Sequence, residues 1–312
     1  MQENQLRRKV KYGNALFLAS ALFAAYAGAE DWRDGMWKHP VPLRLGVTLR
    51  AYALEKPRMM KAYVARIDLT SPGIGFTATE RDPLWGRPMQ DYTNETWLVN
   101  TRRETPAEFM SRRRNEGKNV EIAVNTSGWR PWGGAGCYST YAAFYRWNLA
   151  NGVELSHGKK PGMGTYFIVR KNGRAEIRSI IRPSMTNDMA FALYGNRHLL
   201  KNGAPTREAD AKFKEIHPRT AFGLTADRKT LVILAVDGRQ PGYSLGATRA
   251  DLAEILLREG CTDAVNMDGG GSTSLVVFDR ASGRPVMLNH HAAGYVRKTA
   301  VNLGITFPNP RN

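Results

Sequence analysis

Near the C-terminus of the chain one acid is braced by three glycines, in the run Asn266-Met267-Asp268-Gly269-Gly270-Gly271-Ser272-Thr273-Ser274. Cys261-Thr262-Asp263-Ala264-Val265 leads into it and Leu275-Val276-Val277-Phe278 follows. Apolar β-formers on both sides predict two strands joined by a tight, irregular loop. Consecutive glycines are costly to order, so such a loop makes sense where the backbone takes positive φ or a ligand comes close. Backbone N–H groups in such turns can form an anion-binding concavity. A bare run of glycines also serves as a plain flexible hairpin, so a second feature has to separate the two readings.

That feature is an earlier acid in a similar setting. Leu231-Val232-Ile233-Leu234-Ala235-Val236 is a continuous apolar run, the pattern of a buried strand, and it ends in Asp237-Gly238-Arg239. Between the two acidic turns, Thr248-Arg249-Ala250-Asp251 predicts a capping box with Asp at its third helical position. Leu252, Ile255 and Leu256 continue at helical spacing, and Gly260 suits the position after the helix. If the two strands are neighbours running the same way, Asp237 and Asp268 emerge at one sheet edge, where ligands tend to bind.

At the N-terminus, Arg7, Arg8, Lys9 and Lys11 precede a short apolar stretch from Asn14 to Ala25 and two Ala-x-Ala sites at residues 25–27 and 27–29. This is the pattern of a cleavable bacterial-type export signal over residues 1–29. The stretch is short for a membrane span, although an uncleaved anchor differs from a signal only in length. No stable span is expected after cleavage, and the mature protein is expected in the periplasm or the medium. The full chain carries a net charge of +17, and loss of the signal leaves it strongly basic. Export argues against a nucleic-acid partner and for a polyanionic substrate or simple solubility. Cys137 and Cys261 are chemically free to bridge in an exported chain, but their spacing decides nothing. Two cysteines with no His-x-x-x-His partner do not make a zinc site.

Along the rest of the chain, residues 30–45 read as an irregular lead-in, with strands over 47–49 and 63–69. Thr105-Pro106-Ala107-Glu108 predicts a capped helix ending near Gly117, and Val120–Val124 a strand delivering Asn125. Residues 166–177 predict a hairpin turned at Asn172-Gly173. The expectation is a single α+β domain with a mixed, largely antiparallel sheet and flanking helices.

Arg219-Thr220-Ala221-Phe222-Gly223, Asp237-Gly238-Arg239 and Asn266–Ser272 together resemble the phosphodiester glycosidase family. Further likeness lies at Asn125, at Ala192–Gly195, at Leu199–Gly203, and at Asn289 and Arg297 followed by Thr299–Asn302. The resemblance covers residues 60–307, leaving 30–59 as lead-in and first strand and 308–312 as a tail. Many members carry Asn-Gly-Gly-Phe-Phe where this chain has Asn125-Thr126-Ser127-Gly128-Trp129. That departure bears on the sugar bound rather than on the reaction type.

The resemblance implies a hydrolase acting on sugar-1-phosphodiesters of cell-wall, capsular or host glycans, N-acetylglucosamine among the sugars. The phosphate of such a diester leaves the anomeric carbon as a stable anion, so the chemistry needs a phosphate clamp and a carboxylate more than an acid. Arg219, Arg239 and Arg297 are the candidates for the clamp, since a guanidinium matches two phosphate oxygens. Asp268 is the first candidate for nucleophile or base and Asp237 the second. Gly269, Gly270, Gly271 and Ser272 offer N–H groups, and Asn125 a sugar or water contact. Trp129 and Trp132 suit sugar stacking and core packing equally. His217 is close enough in sequence to Arg219 to enter the site, but a structural or exposed role is the better reading for each histidine. The favoured mechanism requires no cofactor. Two alternatives stay open: a phosphodiesterase cutting P–O with Asp237 and Asp268 on a divalent cation, and a non-catalytic receptor for anionic glycans.

Overall fold

The computed structural model describes residues 39–92, 97–132, 138–157, 163–181, 187–210 and 212–308. The expected signal at 1–29, the start of the lead-in, Cys137 and the tail beyond Pro308 lie outside the described residues.

Eight strands make the main sheet, in the order Val41–Arg44, Val47–Leu54, Met60–Asp68, Thr230–Val236, Arg219–Thr225, Cys261–Asn266, Arg197–Lys201, Ala204–Pro205. The lead-in thus already contributes a strand, which Gly46 turns back onto Val47–Leu54 at φ 77°. A second sheet runs Arg284–Met287, Leu275–Asp279, Val120–Asn125, Asn302–Thr306, Gly75–Ala78. A third contains the expected hairpin, Met163–Arg170 with Ala175–Ile181, beside Met189–Gly195. A small sheet places Trp129–Arg130 and Thr101–Arg102 on either side of Tyr141–Phe144.

The expected α+β architecture with a mixed sheet needs correction. The fold is mostly antiparallel sheet with few helices, and the strand pairings of all four sheets are antiparallel among the described residues. The two α-helices described are α1, Pro106–Asn115, and α2, Arg249–Arg258. Most connections between strands are short turns, which join antiparallel neighbours; in the main sheet the link through α2 is an exception, passing over Arg219–Thr225 from Thr230–Val236 to Cys261–Asn266.

Both helices begin as their sequences predict. Thr105 and Glu108 form a reciprocal capping box with Pro106 in the first turn, and Thr248 and Asp251 form the other. The apolar run Leu231–Val236 is continuous because both faces of its strand are buried. Leu231, Ile233 and Ala235 face the central core, while Val232, Leu234 and Val236 pack with Leu252, Ile255 and Leu256 of α2. Each buried Val, Leu or Ile side chain among these contributes roughly 1.5–3 kcal/mol. In the central core, Phe222, Ile233 and Val265 of the main sheet meet Val124, Leu275 and Leu303 of the second and Phe167 and Leu193 of the third. Helix α1 covers the other face of the second sheet with Phe109 and Met110.

This topology decides where the acids emerge. Thr230–Val236 and Cys261–Asn266 are each antiparallel to Arg219–Thr225, which lies between them. The two acid-delivering strands therefore run the same way without being neighbours, and Asp237 and Asp268 follow them at the same edge. Arg219 opens the intervening strand at that edge, opposite Val236.

Candidate active site

Asp268 is fixed by its backbone. Met267 N–H donates to Thr220 O at 2.9 Å on the main sheet, and Asp268 N–H donates to Thr126 O at 2.7 Å on the segment leaving the second. Asn125 Nδ2 donates to Asp268 O at 2.7 Å. The acid is thus stitched between two sheets at the point where both end. After it the chain makes a short 3₁₀ turn over Gly270–Ser272. Gly270 sits at φ 64°, a region costly for a residue with Cβ. At Gly271 the reason is space: a Cβ there would stand 2.7 Å from Cζ of Arg297. The glycines thus admit positive φ and the close approach of an arginine.

The Asp268 carboxylate opens onto a cleft of about 700 Å³ that Gly269–Ser272, Arg219, Arg239 and Arg297 also line. Burial raises its pKa to about 6, opposed by hydrogen bonds from the Ser272 hydroxyl and the Gly269 N–H and by the charge of Arg297. Arg146 brings a fourth guanidinium to the cleft. Among the described residues, no ion pair ties up any of these four arginines, whereas Arg58, Arg66, Arg112 and Arg113 elsewhere are paired with acids. Arg219 donates from Nε to Ala247 O at 3.1 Å and from Nη2 to Glu215 O at 2.8 Å. Burial, with Arg249 and Arg239 nearby, lowers its pKa to about 10. Arg297 Nε is buried without a hydrogen-bond partner among the described residues. Positive charge gathered around one acid and left uncompensated is the electrostatic form of an anion site.

Two expected site residues lie under the cleft rather than in it. Asn125 is fully buried. Besides holding Asp268, it accepts from Thr220 Oγ1 at 2.9 Å and from Ser274 N–H at 3.0 Å, so its amide is consumed by the scaffold. Asp237 is also fully buried and does not line the cleft. It accepts from His290 N–H at 2.8 Å, Asn289 Nδ2 at 3.3 Å and Tyr243 OH at 3.3 Å. Burial raises its pKa to about 6 against those hydrogen bonds. Asn289 in turn donates to Thr273 O at 3.0 Å and accepts from Leu275 N–H at 2.8 Å. Asn289 thus links Asp237 to the chain just after the glycine turn.

His217 does enter the cleft, and its Nδ1 lies 3.3 Å from Arg239 Nη2. Burial, Arg219 and Arg239 lower its pKa, so it is neutral at physiological pH. Of the two tryptophans, Trp129 is core, 4% exposed, although it also borders the cleft. Trp132 is 59% exposed and donates from Nε1 to Tyr145 OH at 3.2 Å. The Arg130 guanidinium lies 4.0 Å from the Tyr145 ring centre and 4.8 Å from that of Trp132, completing an aromatic rim. Arg146, Tyr145, Tyr194 and Asn196 were not foreseen, although Tyr145-Arg146 lies in an aromatic-rich run, Phe144-Tyr145-Arg146-Trp147. No group of three His, Cys, Asp or Glu side chains able to hold a metal occurs among the described residues. Cys261 is a buried free thiol whose pKa burial pushes up to about 12.

A β-rich scaffold with an acid and several arginines that have no ion pair among the described residues, at one end of the strands, defines a class of anion-handling sites, and sequence comparison makes the class specific. Residues 119–306 match the phosphodiester glycosidase family model, more than half of the chain, and the chain belongs to that enzyme family. The SPbeta prophage-derived uncharacterized protein YomE of Bacillus subtilis (strain 168) is 30% identical over 219 residues, 68% of this chain and 31% of that protein. The chain therefore spans about a third of that relative's length. The catalytic domain of zebrafish N-acetylglucosamine-1-phosphodiester alpha-N-acetylglucosaminidase, auto-inhibited by its pro-peptide, superposes with a TM-score of 0.57 at 16% identity, covering 88% of this chain and 87% of that one. A hypothetical protein from Synechocystis superposes at 0.53 and 12% identity, covering 86% and 63%. Both are likenesses of fold.

Proposed function

We propose that this protein is an exported hydrolase that cleaves sugar-1-phosphodiesters at the glycosidic C–O bond, in the periplasm or medium. The products are a free sugar and a phosphomonoester. The observation that carries this reading is the gathering of four arginines, without ion pairs among the described residues, around the one acid of the described cleft lining. Arg239 and Arg297, beside the glycine turn, hold the non-bridging phosphate oxygens, and Arg219 and Arg146 add field. Asp268 faces the anomeric carbon. As the C1–O bond breaks, its electron pair leaves on the phosphate, where the guanidiniums stabilise it without proton transfer. Water adds to C1 and gives a proton to Asp268, whose raised pKa suits a base working near neutrality. The rim of Trp132 and Tyr145 offers faces for a sugar ring, N-acetylglucosamine being the first to test. Cell-wall, capsular and host glycans are the natural sources of such esters.

The metal-dependent alternative needs Asp237 and Asp268 on one cation. The Asp237 carboxylate is occupied by three donors and does not line the cleft, which favours C–O cleavage. A plain receptor gains nothing from an acid set among its cations, since that acid repels the bound anion. The test is turnover of an N-acetylglucosamine-1-phosphodiester in oxygen-18 water, wild type against Asp268→Asn. Label in the sugar, from the wild type only, is the expected result. Label in the phosphate would overturn the C–O assignment, and binding without product would point to a receptor.

A further inference from the structure

Behind the glycine turn lies a second, smaller cavity of about 190 Å³. Arg239, Gly270, Gly271 and Arg297 line both it and the main cleft, so these four residues form a common wall. The remaining lining comes from Thr273, Asn289 and the loop His290–Tyr295, with Pro218, and no acid is among the described lining residues. Two residues of the lining carry a buried polar atom with no hydrogen-bond partner among the described residues, Arg297 at Nε and Thr273 at Oγ1. Orphaned buried polar atoms are uncommon in native proteins and call for a ligand or an equivalent explanation.

The loop that closes this cavity is held in place. His290 N–H donates to Asp237 at 2.8 Å, His290 O accepts from Gln240 Nε2 at 3.2 Å, and His291 Nε2 lies 3.0 Å from Ser274 Oγ. The His290 ring packs edge-on to Tyr243, 5.4 Å between centres. The buried Asp237 is thus accounted for as the anchor of this wall.

We propose that this cavity is the subsite for the leaving group beyond the phosphate, and that it takes a short polyol of glycerol size. The inference rests on the phosphodiester hydrolase reading above. A phosphate held at the common wall by Arg239 and Arg297 presents one ester oxygen to each cavity. The sugar then lies on the Asp268 side and the second ester group on the Thr273 side. A 150 Å³ cavity accepts benzene, so this one takes on the order of six to eight non-hydrogen atoms, and glycerol falls in that range. Thr273 Oγ1 supplies a hydroxyl contact, and the absence of lining acids leaves a cationic group without a partner. A neutral polyol is therefore preferred over an aminoalkyl group.

The experiment compares methyl, glyceryl and aminoethyl phosphodiesters of N-acetylglucosamine-1-phosphate, using wild type, Ala293→Trp and Thr273→Val. In the wild type, kcat/KM for the glyceryl ester exceeds that for the methyl and aminoethyl esters at least tenfold. Both variants reduce the glyceryl-to-methyl ratio, Ala293→Trp to near one. Titration calorimetry of glycerol 3-phosphate against methyl phosphate gives the same preference without turnover, and circular dichroism verifies that the variants fold. Turnover with no glyceryl preference, or a ratio that neither variant moves, overturns the subsite while the hydrolase reading stands. Absence of turnover for every ester overturns the hydrolase reading. The calorimetric preference, and its loss in Ala293→Trp, then still decides whether the cavity binds the polyol.

Discussion

Gly271 and Arg297 fit one another: a Cβ on the glycine would stand 2.7 Å from the arginine Cζ and Nη2. The contact is with the far end of a flexible side chain, so Gly271→Ala is accommodated by swinging the guanidinium away rather than by moving the fold. The expected outcome is a protein with nearly unchanged melting temperature and a kcat/KM lowered about 10–100-fold, the scale of one lost charge-assisted phosphate contact. Gly283, by contrast, has nothing within 4 Å of its Cβ position but lies at φ 67°, so an alanine there acts on stability alone. Steady-state kinetics and thermal melts of the two variants separate the effects.

Asp268→Asn tests the acid in two ways. Loss of the base costs about 10²–10⁴ in kcat. Stability moves the opposite way. The carboxyl is raised from its usual 3.8 to about 6 in the fold. Its contribution to stability is therefore fully present below its unfolded pKa and lost as pH rises through 6. At pH 7.5 the ionised acid destabilises the fold by about 1–2 kcal/mol, after discounting for its partial exposure. The asparagine removes that loss and raises the melting temperature by about 2–5 °C. At pH 4 the two melts coincide apart from local hydrogen bonding. A variant that is inactive and also destabilised at pH 7.5 would contradict the assignment.

Much of this was legible in the sequence because it is local. The capping boxes at Thr105 and Thr248, the Asn172-Gly173 hairpin and the double-faced run Leu231–Val236 each follow from a few adjacent residues. The shared edge of Asp237 and Asp268 was also within reach, since it needs only strand direction. What sequence could not give was the strand Arg219–Thr225 between them, because pairing across the sheet leaves no mark in spacing. The roles of Asn125 and Asp237 were hidden for the same reason. A buried polar side chain that holds backbone and one that faces substrate look alike until burial is known. Arg146 carries no motif; folding alone brings it to the cleft.

Asn125 is the clearest positioning residue. Its Nδ2 donates to Asp268 O, while its Oδ1 accepts from Thr220 and Ser274. Asn125→Asp keeps both acceptor contacts and replaces the donor with an oxygen facing a carbonyl oxygen at 2.7 Å. The cost is about 1–3 kcal/mol of stability, read as a lower urea midpoint. Because Asp268 moves while the arginines stay, kcat falls by at least tenfold with KM little changed. An equal rise in KM would mean that Asn125 acts on the phosphate clamp instead.

The stereochemistry of the product follows from the number of acids in the cleft. Retention by two displacements needs a nucleophile and then a base to activate water against the glycosyl-enzyme. Among the described lining residues, Asp268 is the one carboxylate. The departing phosphomonoester needs no acid, so a single base acting on water completes the reaction, and attack opposite the leaving group inverts the anomeric centre. The sugar first released from an α-phosphodiester is therefore expected as the β anomer, seen by proton NMR before mutarotation. Activity would rise with pH through about 6 as Asp268 ionises. Release of the α anomer would make Asp268 a nucleophile and pass the base to His217, the other titratable group of the cleft whose lowered pKa leaves it neutral. His217→Gln would then stall the enzyme after the first displacement, with a burst of phosphomonoester and no matching release of sugar, whereas under inversion the two products appear together.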